Sequence, residues 1–218
     1  MPLSEGSLDS ILGAIITHAL IGKGIVYDPP EAIVDAAKAV AVEILEQYGP
    51  PTPPSGTAAF IQEDDTTQGS WKGVYGTLGH GINSDSLIFP PEVQALFTGS
   101  QNFIWENDSS DVRALQKEVG SLRIASAWYA ADLFTIELIF SDALLHKVAL
   151  YALDWDGFGP RIITVGISDS NGNTLDTRSL SQFQAGKYLQ WNVSGHLILK
   201  VTSQMPGSNA TLSGIFFD

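Results

Sequence analysis

The chain is predicted to be mainly β: an antiparallel, jelly-roll-like β-sandwich preceded by an N-terminal two-helix arm and a proline-rich linker. Three observations carry this. From Ala58 onward, short runs alternate apolar with polar or small residues, the period of a strand with one buried face. Turn-forming residues separate those runs. The sustained spacing of apolar residues at three and four positions falls before residue 49. These mark an arm over residues 1–49, a linker over 50–57 and a sandwich over 58–218.

In the arm, Leu8, Ile11, Leu12, Ile15, Ile16, Ala19 and Leu20 fall on one helical face. Ser7 or Asp9 can cap its start, and Gly22 with Gly24 can end it. The second helix is predicted to begin at Asp28-Pro29-Pro30-Glu31, where Asp28 can accept a first-turn N–H, Pro29 suits the first helical position and Glu31 can complete a capping box. Ile33, Ala37, Val40, Ala41, Ile44 and Leu45 form its apolar stripe, which ends near Gly49. Two such helices bury too little surface to offset their own chain entropy. Their stripe needs the sandwich, a second copy or another protein. The four prolines of Gly49-Pro50-Pro51-Thr52-Pro53-Pro54 then favour an extended spacer.

The sandwich runs are Trp71 to Tyr75, Ile124 to Tyr129, Phe134 to Phe140, Val148 to Ala152, Ile163 to Ile167, Tyr188 to Val193, His196 to Val201 and Thr211 to Phe217, with a short turn at Pro91 to Phe97. Asn171-Gly172 is predicted to close a hairpin as a type I′ turn.

Charge and composition narrow the function. A net charge of −13, with no basic cluster, repels phosphate backbones and argues against nucleic acid as a partner. The absence of cysteine removes thiol nucleophiles, disulfides and thiolate metal sites. Glu5 and Asp9 occupy the place of a positive signal-peptide region, and Thr17, His18 and Lys23 interrupt the apolar run, so neither export nor a membrane span is expected.

No catalytic residue, metal ligand or cofactor is assigned from the sequence. His18, His80, His146 and His196 share no metal-ligand spacing. Glu63, Asp64 and Asp65, with Asp154 and Asp156, are the carboxylates a hard cation could use, but turn hydrogen bonding is the favoured reading of Asp154 and Asp156. Asp169 to Asn173 has the start of a calcium loop without its downstream glutamate. Aromatic rings stack on sugar faces, which makes Trp155 and Tyr75 the candidate glycan contacts. Trp128 and Trp191 fit core positions.

Several blocks occur in order: Thr66-Thr67-Gln68-Gly69 with Trp71-Lys72-Gly73 and Tyr75-Gly76, Ala127-Trp128-Tyr129, Val148 through Asp156, Leu175-Asp176-Thr177-Arg178, Lys187 through His196, and Leu212 through Phe217. From about Phe60 to Asp218 they resemble a β-sandwich domain of large bacterial secreted and surface proteins, including glycosidases, in which catalysis belongs to a neighbouring domain. The whole chain, an arm joined to an acidic sandwich, resembles the cement or decoration proteins of tailed phages. That second resemblance implies a non-enzymatic virion protein on the capsid surface, made in the host cytoplasm. Its partners would be the major capsid protein and copies of itself, as a dimer or trimer. Leu8, Ile11, Leu12, Ile15, Ile16, Ile33, Val40 and Ile44 would then be the partner-binding residues. The alternative is a carbohydrate-binding or host-recognition module.

Overall fold

Alternation over residues 133–140, 163–169 and 196–203 puts one apolar face per strand toward a core, and a computed structural model shows how those faces meet. It describes residues 55–142, 144–157 and 161–218. The two predicted helices, the linker prolines and all eight predicted partner-binding residues, Leu8 to Ile44, lie outside the described residues.

Fifteen strands form among the described residues: β1 (Thr57–Asp64), β2 (Gly79–Ile82), β3 (Ser86–Ile88), β4 (Val93–Thr98), β5 (Gln101–Ser109), β6 (Leu115–Gln116), β7 (Arg123–Ala130) and β8 (Leu133–Phe140). Then come β9 (His146–Ala152), β10 (Ile163–Asp169), β11 (Thr174–Leu180), β12 (Lys187–Ser194), β13 (His196–Ser203), β14 (Ala210–Leu212) and β15 (Gly214–Phe217). A six-stranded sheet runs β1-β12-β9-β15-β2-β3, a five-stranded sheet β11-β10-β13-β8-β4 and a smaller sheet β14-β7-β5, with β6 paired to β7. Every strand pairing is antiparallel.

The main core joins Phe134, Ile136, Leu138 and Phe140 of β8, Val165 of β10 and Leu199 of β13 to Leu150 of β9, Trp191 of β12 and Phe217 of β15. It therefore lies between the two larger sheets, as in a sandwich. A second cluster holds Ala149 and Tyr151 with Tyr188 and Phe216, the alternate residues of β9, β12 and β15, and Leu153 just beyond β9. The six-stranded sheet is thus buried on both faces, which is why residues 148–153 read as an unbroken apolar run.

The cover on its second face is the Thr66 to Gly76 segment. Predicted as a strand from Trp71 to Tyr75, it is instead a turn, with the Trp71 carbonyl accepting from both the Val74 and Tyr75 amides at 2.9 Å. Trp71 and Tyr75 are 5% and 4% exposed. Their rings lie on Phe216 at 5.3 Å and Tyr188 at 4.2 Å. A Cβ on Gly69 would stand 1.8 Å from the Ala114 carbonyl oxygen, so only glycine passes there. Asp64 anchors the segment, accepting from the Thr66 amide (2.8 Å) and hydroxyl (2.7 Å), the Thr67 amide (3.1 Å) and hydroxyl (2.5 Å) and the Tyr75 hydroxyl (2.8 Å).

Three further expectations are corrected. Residues 93–98 form β4, not a turn, because Ala95 and Phe97 alternate onto the main core. Ser213 breaks the run of 211–217, sending β14 to the smaller sheet and β15 to the six-stranded one. The β10–β11 hairpin forms where predicted but with other geometry. The Asp169 carbonyl accepts from Gly172 at 3.0 Å, and Gly172 has φ 84° while Asn171 is not among the positive-φ residues. This is a type I turn followed by a left-handed glycine. The Asp169 carboxylate accepts from the Asn171 and Asn173 amides, the Asn173 side chain and Ser55, each at 2.9 Å. It staples a turn.

Candidate functional site

The two residues proposed for glycan contact occupy different surroundings. Tyr75 is core: its ring is stacked on Tyr188, its hydroxyl is given to Asp64, and neither face is offered to a ligand. Burial first, then the hydrogen bond to Asp64, pushes its phenol pKa well up, so it stays neutral. Trp155 is half-buried, and the Arg113 guanidinium covers its ring at 4.4 Å. Trp128 and Trp191 are buried, Trp128 stacked on Phe97 at 4.5 Å and Trp191 donating to Asp176 at 2.7 Å.

Four of the five carboxylates considered for a hard cation, Glu63, Asp64, Asp154 and Asp156, have protein partners. Glu63 faces Lys187 at 3.2 Å, and Asp64 holds the cover segment. Burial raises the Asp64 pKa, but the Thr67 and Thr66 hydrogen bonds outweigh it and hold the carboxyl well below the usual range.

Aromatic residues that the sequence reading passed over are the ones brought together. Phe103 and Trp105 stand on β5, an edge strand whose residues are mostly exposed. The pairing of β5 with β7 steps from Ile104↔Ser126 to Glu106↔Ala125, leaving Trp105 as the extra residue of a bulge. Bulges re-aim side chains. Trp105 meets Phe103 edge-on at 5.6 Å, and Phe103 meets Tyr129 of β7 edge-on at 6.0 Å. With Asn209, Thr211, Asp156 and Arg161 these three rings line an open pocket of about 210 Å³.

The polar side of the pocket is built on a buried cation. Arg161, 8% exposed, donates from Nη1 and Nη2 to the two oxygens of Asp156 at 2.6 and 2.8 Å. Nη1 also donates to Asp154, which is fully buried, and the Arg161 backbone N–H gives Asp154 a further bond at 3.1 Å. The Asp156 hydrogen bonds, opposed by burial and aided by Asp154, raise the guanidinium pKa further, so it is a fixed charge. Asp156 in turn accepts from the Trp105 indole N–H at 3.1 Å, which locks the plane of that ring. The turn bonding expected of Asp154 and Asp156 is thus an ion-paired cluster. Among the described residues four buried side-chain polar atoms have no partner within the protein, and two of them, Arg161 Nε and the Thr211 hydroxyl, belong to residues that line this pocket. Buried polar groups are normally satisfied, and both atoms lie beneath the pocket surface rather than on it.

Part of this site had a sequence signal. Phe103 and Trp105 stand two apart in Gln101-Asn102-Phe103-Ile104-Trp105-Glu106-Asn107-Asp108, a segment too polar for a core strand. Arg161 and Thr211 carried no such signal: Thr211 reaches the pocket through strands distant in sequence, and Arg161 pairs with Asp154 and Asp156 only seven and five residues before it.

No family model matches the chain, and no curated protein matches it. Solved structures that are similar to it include the carbohydrate-binding module TmCBM61 in complex with beta-1,4-galactotriose, at 13% identity and a TM-score of 0.31, over 59% of this chain and 85% of that one. Another is the exo-beta-1,3-galactanase of Phanerochaete chrysosporium with beta-1,3-galactotriose, at 18% identity and a TM-score of 0.36, over 66% of this chain and 29% of that one. A third is the enzymatically active domain of tailspike protein 4 of bacteriophage CBA120, at 9% identity and a TM-score of 0.25, over 58% of this chain and 18% of that one.

Proposed function

We propose that the sandwich is a saccharide-binding module and that the pocket beneath Phe103, Trp105 and Tyr129 holds a sugar ring. The observation that carries this is the convergence of three aromatic side chains on polar groups fixed in advance. A sugar ring presents an apolar face of C–H groups and a rim of hydroxyls. Aromatic faces take the first, while the Asp156 carboxylate and the Asn209 amide take the second. Binding without chemistry is the reading that suits it, because Asp154 and Asp156 are both committed to Arg161. The capsid-cement reading rests on Leu8 to Ile44, outside the described residues, and draws no support from the sandwich.

The test is a glycan array probed with the full chain and with Trp105→Ala. Truncating a central aromatic contact costs about 2 kcal/mol or more, roughly a 30-fold loss of affinity. Trp155→Ala, outside the pocket, should retain binding. A parent chain that binds no glycan, or a Trp105→Ala variant that binds as well as the parent, overturns the proposal.

A further inference from the structure

At the opposite kind of junction, where one large sheet hands over to the other, lies a cluster with a different chemistry. Glu92 stands just before β4, Asp142 lies in the β8–β9 connection and His146 opens β9. One ligand atom from each falls within 4.8 Å of the others. His146 is 6% exposed, with Nε2 2.8 Å from Asp142 Oδ1, whereas both carboxylates are only partly buried. A cation would meet the carboxylates first and the imidazole beneath them.

The donors are positioned from behind. The His146 ring is stacked on Phe140 at 4.7 Å, which fixes its plane. The Glu92 backbone carbonyl accepts from the Ser141 amide at 2.9 Å and the Ser141 hydroxyl at 3.2 Å, tying the residue before β4 to the residue before Asp142. Such supporting contacts are what orient metal ligands. One imidazole nitrogen and two carboxylate oxygens at this separation form a donor set for a divalent ion with open positions.

We propose that Glu92, Asp142 and His146 form a binding site for a first-row divalent transition-metal ion such as Zn²⁺. The imidazole nitrogen selects against Ca²⁺ and Mg²⁺, which take oxygen ligands. The ion replaces the proton between His146 Nε2 and Asp142 Oδ1, and Glu92 closes the third side. Because β4 and β8 belong to the five-stranded sheet and β9 to the six-stranded one, the bound ion clips the two sheets together.

The experiment is calorimetric titration of the metal-stripped full chain with ZnCl₂, alongside thermal melting with Zn²⁺ or Ca²⁺. One saturable Zn²⁺ site is expected, with a melting temperature raised by roughly 5–10 °C at a hundred-fold excess over Kd and no rise with Ca²⁺. Glu92→Gln and Asp142→Asn should each weaken Zn²⁺ binding by roughly tenfold or more. Both leave the backbone clamp and the His146 stack intact, so they remain folded even where His146→Gln does not. Absence of saturable Zn²⁺ binding by the parent overturns the proposal, as does undiminished binding by both carboxylate variants, which would place the ion elsewhere.

Discussion

Replacing Asp64 by alanine tests whether the Thr66 to Gly76 segment is a cover held by one carboxylate. The residue accepts five hydrogen bonds, but they are not equal. The two from Thr66 are exposed and water replaces them at little net cost. The two from Thr67 are partly buried and contribute about 0.5–1.5 kcal/mol each. The Tyr75 hydroxyl, on a side chain 4% exposed, is left without its acceptor, which costs about 1–3 kcal/mol. The sum is roughly 2–6 kcal/mol, and for a protein of this size that lowers the melting temperature by roughly 4–24 °C. Tyr75→Phe removes only the shared bond, so in the double variant the two losses should fall short of additivity by about 1 kcal/mol. The assay is thermal and urea unfolding at pH 7 of the parent, both single variants and the double. An Asp64→Ala chain melting within 2 °C of the parent, or a strictly additive cycle, refutes the anchoring role.

Other predictions concern charge. Arg161→Met keeps the volume but leaves Asp154 buried without its cation, and urea unfolding should show a loss of about 3–5 kcal/mol. A loss below 1 kcal/mol would mean the pair is not what fixes the pocket. Acid should act through Asp169, whose carboxyl the Asn173 side-chain hydrogen bond, ahead of the opposing effect of burial, helps lower from 3.8 to about 2. A depressed carboxyl stabilises the folded state fully above its unfolded value and loses that contribution as pH falls from about 3.8 to about 2. Asn173→Ala should therefore flatten the melting temperature against pH in that window, and identical curves for variant and parent would refute the staple.

The sandwich strands were legible where one face is buried. Phe134 to Phe140, Ile163 to Ile167 and His196 to Val201 alternate cleanly, and each lies in the five-stranded sheet, which has a single core-facing side. Elsewhere the signal is degraded for identifiable reasons. Burial on both faces removes alternation from β9, while β2 is four residues of Gly79-His80-Gly81-Ile82 whose strand character comes from lying between β15 and β3. The cover segment shows aromatic spacing that a strand would also give, and only the Trp71 carbonyl accepting two amides distinguishes the turn. The metal cluster was illegible because Glu92 and His146 are 54 residues apart and meet through the pairing of β4 with β8.

The pocket is harder to explain as a by-product of folding than as a purpose. Phe103 keeps 47% of its surface in solvent, on an edge strand where a charged residue would better discourage unwanted pairing. Its neighbour Trp105 is held by Asp156, Asp156 by Arg161, and Arg161 by a fully buried Asp154. That chain of contacts places three ionised groups in or beside the protein interior, where an apolar substitute of equal volume would be at least as stable. What such a chain does supply is rigidity. An indole whose plane is already set loses little freedom when a ring stacks on it, so more of the contact energy appears as affinity. Trp105→Phe separates the two contributions: it keeps an aromatic face but loses the N–H that meets Asp156. If orientation matters, it should bind the glycan several-fold more weakly than the parent, yet more tightly than Trp105→Ala.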